Sequence, residues 1–188
     1  PWSNVIANPD FGFIVTESGG GFTWSGNSRE NKLTPWSNDP VSDTPSEVFY
    51  LSDATLDVWS LTPQPIRESE AYVVEHGFGY TAFEHVSHGI KQNLTQFVPV
   101  KGHVKISIIA LTNLGSEPKT VSLTHYAKPV LGVQPSDTGL HIKTTTNAAG
   151  MLLLENPYNQ TYVGQVMYVN TSCENRSVTG SLTDFFGS

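Results

Sequence analysis

The sequence predicts an all-β fold, an antiparallel β-sandwich forming a single domain over residues 1–188. Three observations carry this. Short alternating segments recur about every ten residues, with turn residues between them. No segment keeps a helical apolar period for three turns. Charged residues make up only 14% of the chain, while 16 glycines and 12 prolines punctuate it, a composition of strands and turns and not of a helical bundle.

The elements follow in order. Phe11 to Glu17 alternates around Phe11, Phe13 and Val15, and Gly21 to Ser25 is the return strand of a hairpin after Gly19-Gly20-Gly21. Ser46 to Leu51 and Val58 to Ser60 pair around the polar turn 52–57. Ala71 to His76 and Tyr80 to His85 flank the glycine-supported turn Gly77-Phe78-Gly79. Ile90 to Val98 alternates, and Val104 to Asn113 reads as a strand with one buried face. Thr120 to Tyr126 sets Val121, Leu123 and His125 against Ser122 and Thr124, after the turn Gly115-Ser116-Glu117-Pro118. Leu140 to Thr146, Met151 to Asn156, Tyr162 to Asn170 and Ser177 to Thr183 complete the strands. One short helical turn is expected near Asn147-Ala148-Ala149.

The chain is long enough to bury a core without disulfides. Cys173 is the only cysteine, so no intrachain bridge can form, and a reducing, cytoplasmic setting is expected. A net charge of −7 leaves no basic footprint for nucleic acid. No run reaches the roughly 18 apolar residues of a membrane span, so this segment is not expected to insert in a bilayer. The chain starts at Pro1 without Met and stops on Phe185-Phe186-Gly187-Ser188, which reads as an incomplete, excised piece with open sheet edges.

The stretch 17–36 is the richest in chemistry. Gly19, Gly20 and Gly21 permit positive φ or close approach. Trp24 and Trp36 offer flat apolar faces, and Asn27, Arg29, Glu30 and Asn31 offer directional donors and acceptors. Flat faces beside amide and guanidinium groups suit a sugar, with its apolar C–H faces and its ring of hydroxyls. Composition alone favours the plainer reading, a connecting hairpin with two packed tryptophans.

Three segments carry a resemblance. They are residues 1–9 (Pro-Trp-Ser-Asn-Val-Ile-Ala-Asn-Pro), residues 23–41 (beginning Thr-Trp-Ser-Gly-Asn-Ser-Arg-Glu-Asn-Lys) and residues 83–90 (Phe-Glu-His-Val-Ser-His-Gly-Ile). Together they resemble the N-terminal β-sandwich of glycoside hydrolase family 94, formerly a glycosyltransferase family of inverting phosphorylases. Within that family the chain looks most similar to the phosphorylase-like part of cyclic β-1,2-glucan synthases and to β-1,2-glucan phosphorylases. The resemblance implies a galactose-mutarotase-like super-sandwich. It also implies a parent enzyme that cleaves or remodels β-glucan with inorganic phosphate as co-substrate and without a metal or organic cofactor. The catalytic Asp of such enzymes lies in a separate helical-barrel domain, of the same or a partner chain, and a synthase parent would be an inner-membrane protein.

No catalytic residue is therefore expected here. An inverting phosphorylase needs one acid for the glycosidic oxygen, while phosphate attacks the opposite face. Glu17, Glu30, Asp39, Asp43 and Glu84 show no pattern of a paired acid and base, and solvation explains each. His85 and His88 are three apart, which on a strand faces them oppositely, a poor metal pair unless a turn lies between. No metal site is expected. One His is expected to pack under an aromatic surface and the other to hydrogen-bond a neighbouring loop. A Gly-x-Ser-x-Gly elbow and a phosphate-binding P-loop are both absent. Two function classes remain: an accessory sandwich that supports a catalytic domain and lends carbohydrate-binding or rim residues (Trp24, Asn27, Arg29, Glu30, Asn31, Trp36), or an independent glucan-binding module. A purely structural adhesion-type sandwich is a weaker third.

Overall fold

The protein's structure, a computed structural model, describes residues 2–186 and, for Phe186, the backbone alone. The described residues form four antiparallel sheets. The first joins β1 (Ser3–Ala7), β2 (Phe11–Thr16) and β3 (Gly21–Ser25) in that order. The second has the order β10-β4-β5, with β4 at Glu47–Asp53, β5 at Val58–Ser60 and β10 at Val121–Ala127. The third is the meander β6 (Tyr72–Gly77), β7 (Tyr80–Ser87), β8 (Ile90–Phe97) and β9 (Ile106–Asn113). The fourth is β11 (Lys143–Thr146), β12 (Leu152–Glu155) and β13 (Val166–Val169).

The core lies where the first three sheets face one another. Ile6, Phe13, Val15, Leu51, Trp59, Leu61, Phe83, Ile90 and Leu94 form one buried cluster. Period-two alternation puts Thr81, Phe83, His85 and Ser87 of β7 inward, beside Ile90, Gln92, Leu94 and Gln96 of β8. Polar side chains thus share the buried face and must find partners inside. Trp59 Nε1 donates to Gln92 Oε1 at 3.0 Å, and Gln92 Nε2 donates to Ser87 Oγ at 2.9 Å.

The triple glycine is used for close approach. Gly21 has φ 139°, and a Cβ on Gly20 would lie 2.2 Å from a carboxylate oxygen of Asp43. That carboxylate accepts the Thr16 hydroxyl, whose oxygen accepts the Gly20 N–H at 3.0 Å and so closes the β2–β3 turn.

Several elements differ from the sequence reading. β1 is not among the strands expected from sequence: Ser-Asn-Val-Ile-Ala shows no polar–apolar alternation, although Asn4 and Ile6 turn inward while Ser3, Val5 and Ala7 stay exposed. Residues 177–183 are not a strand: the chain is irregular to Ser181 and then forms the helix α2 (Leu182–Phe186). Ser181 starts it, its Oγ accepting the Asp184 N–H at 3.2 Å. A second short helix, α1 (Pro135–Thr138), has Pro at its start and Asp137 in its first turn. The expected strand from Leu140 begins only at Lys143, because the α1 exit turn bonds His141 N–H to the Thr138 carbonyl. Around Asn147 there is a hairpin turn and not a helix, with Asn147 Oδ1 accepting the Ala149 and Met151 N–H groups. The strand expected from Tyr162 is confined to Val166–Val169, because Asn159 Oδ1 holds the preceding loop through the N–H groups of residues 161 and 162.

A groove of about 1290 Å³ opens between β9, β10 and β13. It lies beside the 24–36 loop and is the setting of the candidate site.

Candidate functional site

Trp24 pairs with Gly12 across β2 and β3, and its indole lies on the glycine: a Cβ at position 12 would be 2.5 Å from the ring. Phe22 sits between the two tryptophans, with ring centroids 5.3 Å from both Trp24 and Trp36. The three rings form a half-buried cluster, so one face of each indole is spent on packing.

From Gly26 the chain makes one tight turn. Gly26 has φ 73°, and its N–H donates to the Asp10 carbonyl. Asn27 Oδ1 accepts the N–H groups of Arg29 and Glu30, both at 2.9 Å. The Asn27 carbonyl oxygen is therefore committed to holding the turn. Lys32 donates to the carbonyls of Arg29 and Val133, bracing the loop from below. Arg29 and Glu30 are left on the outside, paired at 3.3 Å with side chains 85% and 49% exposed. Such a pair contributes little to stability.

Asn31 points the other way. It is buried, and its amide donates to the Ser25 carbonyl and to Gln165 Oε1, both at 2.8 Å. It lines the groove and ties the loop to the segment preceding β13. The structure thus divides the sequence-predicted set: Arg29 and Glu30 face solvent, Asn31 faces the groove, and Trp24, Trp36 and Asn27 shape the loop.

The groove floor holds residues that sequence spacing could not assemble. Glu47 accepts the hydroxyls of Thr23 at 2.6 Å and Thr34 at 2.7 Å, and pairs with Lys105 Nζ at 2.9 Å. Burial alone would raise its carboxyl, but the Lys105 charge and these bonds overcome it and hold the group at about 2. Lys105 also sits 4.4 Å over the Phe13 ring. His125, stacked on Phe49 at 4.4 Å, is pushed below the ordinary histidine range by burial. His103 Nδ1 meets Ser25 Oγ at 3.2 Å.

Outside the groove lining, both histidines of the His-Val-Ser-His run bond one carboxylate, Glu68. They reach it from the same side because His88 lies in the β7–β8 turn with φ 52°. The expectation of one packed and one bonded histidine is exceeded, since each does both. His85 stacks on Tyr72 at 3.8 Å and His88 on Trp59 at 3.9 Å. Burial raises the Glu68 carboxyl, but its bonds from Ser87, His85 and His88 outweigh that and lower it.

The family model described as glycosyl hydrolase 94, supersandwich domain, matches residues 1–188. The chain belongs to this family. The supersandwich is 31% identical over 191 residues to cyclic beta-(1,2)-glucan synthase NdvB of Rhizobium meliloti (strain 1021), covering 100% of this chain and 7% of that protein. It is 26% identical over 175 residues to N,N'-diacetylchitobiose phosphorylase of Vibrio furnissii, covering 91% of this chain and 21% of that one. It is 31% identical over 124 residues to 3-O-beta-D-glucopyranosyl-beta-D-glucuronide phosphorylase of Paenibacillus borealis, covering 65% and 15%. The supersandwich spans less than a quarter of the length of these relatives. No helix among the described residues is long and apolar enough to cross a membrane.

Proposed function

We propose that this supersandwich is the accessory, non-catalytic part of an enzyme that acts on β-glucan with inorganic phosphate, a glucan phosphorylase or a cyclic β-1,2-glucan synthase. It supports a catalytic helical-barrel domain, of its own or a partner chain, and lends the 24–36 loop to the rim of the active site. The observation that carries this is the loop's construction. Asn27 and Lys32 hold its backbone from inside, so Arg29 projects without a structural task beyond an exposed ion pair. Its fork of donors can hold a phosphate, a carboxylate or a pair of sugar hydroxyls in fixed geometry. The 31% identity to a glucan synthase over the whole chain supports the substrate class.

The test is Arg29→Ala in the full-length enzyme. A contact to glucan or phosphate predicts a raised KM or lowered kcat, by about tenfold, the scale of one hydrogen-bonded charge, with an unchanged melting temperature. A brace predicts the reverse, and no change in either would remove the loop from the site.

The groove favours a second reading, an independent glucan-binding module, because it joins polar Asn31, Glu47 and Gln165 to aromatic Tyr162 and Tyr168. That reading requires the isolated chain to bind glucan with a change in tryptophan fluorescence. The accessory reading requires no measurable binding.

A further inference from the structure

Three carboxylates and two imidazoles converge where the loop 61–71 folds back on the β7–β8 hairpin. Glu68 Oε2 lies 2.8 Å from His85 Nε2 and accepts the Ser87 hydroxyl at 2.6 Å. Glu68 Oε1 lies 2.7 Å from His88 Nε2, and Asp57 Oδ2 lies 3.7 Å from His88 Nδ1. Glu70, two residues on, brings its carboxylate to within 4.8 Å of both Glu68 and His85.

His85 faces an acceptor at each ring nitrogen. Its Nδ1 meets the Ala71 carbonyl at 3.2 Å, and its Nε2 meets the Glu68 carboxylate. Both partners are acceptors only, and a neutral imidazole has one N–H. The His85 side chain is fully buried, so water cannot supply the missing partner. With Nδ1–H donating to Ala71, the Nε2 lone pair faces the Glu68 carboxylate, an arrangement that a metal ion between ring and carboxylate satisfies. His88 repeats the pattern, with both nitrogens facing carboxylates.

We propose that Glu68, Glu70 and His85 bind one zinc-like divalent ion. The donor set, one imidazole nitrogen with carboxylate oxygens, suits zinc and its late first-row neighbours. The distances fit. Two bonds of about 2.0–2.1 Å at a tetrahedral angle separate their ligand atoms by about 3.3 Å. The 2.8 Å between His85 Nε2 and Glu68 Oε2 must open by roughly half an ångström, and Glu70, which is exposed, must swing inward. Both are side-chain rotations. The outer shell already has the form that metal sites use. Ala71 fixes the His85 tautomer and ring through Nδ1, and Tyr72 stacks on the ring. Ser87 and His88 orient Glu68; Gln92 donates to Ser87, and Trp59 donates to Gln92 in turn. The ion would tie the 61–71 loop to the hairpin, a role independent of the 24–36 loop. The sequence offered only His85 and His88; the fold supplies the two carboxylates.

The experiment uses the full-length protein carrying Cys173→Ser, which removes the exposed thiol, and Zn2+ alone as the probe. Zinc retained after equilibrium dialysis and the melting temperature are compared with those of Glu70→Gln and Glu68→Gln. Glu70 is exposed, so its variant keeps the fold and decides the matter if Glu68→Gln does not fold. Expected is one ion per chain that raises the melting temperature, with affinity at least tenfold weaker in Glu70→Gln. Zinc content and melting shift identical in parent and Glu70→Gln, or no zinc bound at about 100 µM, a generous excess over structural sites, would overturn the proposal.

Discussion

Single residues in this protein are set by contacts far apart in sequence, and Glu47 is the clearest case. Its carboxylate is held from the ordinary 4.5 down to about 2. A folded-state value below the unfolded one stabilises the fold fully at pH well above 4.5. That contribution fades as the pH falls from 4.5 through about 2. The shift corresponds to about 3 kcal/mol. Glu47→Gln is therefore expected to lower unfolding stability by an amount of that order at neutral pH, and by little near pH 2. Urea denaturation of both proteins across this range checks it, and a gap that stays constant with pH would refute the assignment. His125 acts in the same direction, because its buried ring resists the proton that the unfolded chain accepts. At this scale the sequence offered residue types and little more. Arg29, Glu30 and Asn31 are legible as polar loop residues. That Arg29 faces solvent while Asn31 is buried against Gln165 depends on a partner 134 positions away.

Among the elements, the outer strands of the groove stand out. β9 runs Ile106–Asn113 without a charge or a proline, and β10 runs Val121–Ala127 with no Lys, Glu or Asp. Each ends its sheet, and Ile108, Leu111 and Leu123 are exposed along them. Natural sheets guard their edges with charge, proline or a bulge, and this uncharged edge of eight residues has neither charge nor proline to prevent pairing with another strand. The isolated chain is expected to self-associate, and Ile108→Lys to reduce it at a stability cost below about 1 kcal/mol. Light scattering of the two proteins at matched concentration measures this, and equal association would clear the edge of blame. Hairpins were the elements most readable from sequence, since period-two alternation and Gly turns are local signals. β2, β3 and β5 fall within a residue of their expected bounds. The elements misread were short ones without a readable period. β1 buries one side chain, and α1 and α2 have four and five residues, too few to show a period. Their start signals, Pro135 with Asp137 and Ser181 with Asp184, were present in the chain as local capping chemistry.

For the whole molecule, the accessory reading predicts that the isolated supersandwich, given inorganic phosphate and β-1,2-glucan, releases no glucose 1-phosphate. Turnover proportional to this chain would overturn that reading and place an acid within it. The sequence by itself determined the all-β class, the hairpin order and the family, because alternation, turn residues and the 23–41 motif are all local in the chain. Only the tertiary structure decided which residues share a site. Thr23, Thr34, Glu47 and Lys105 meet on the groove floor, and Glu68 joins His85 and His88 across the 61–71 loop. The reason is physical. A buried charge or imidazole must find its counterpart inside the fold, and antiparallel pairing brings together strands whose separation along the chain carries no record of their contact.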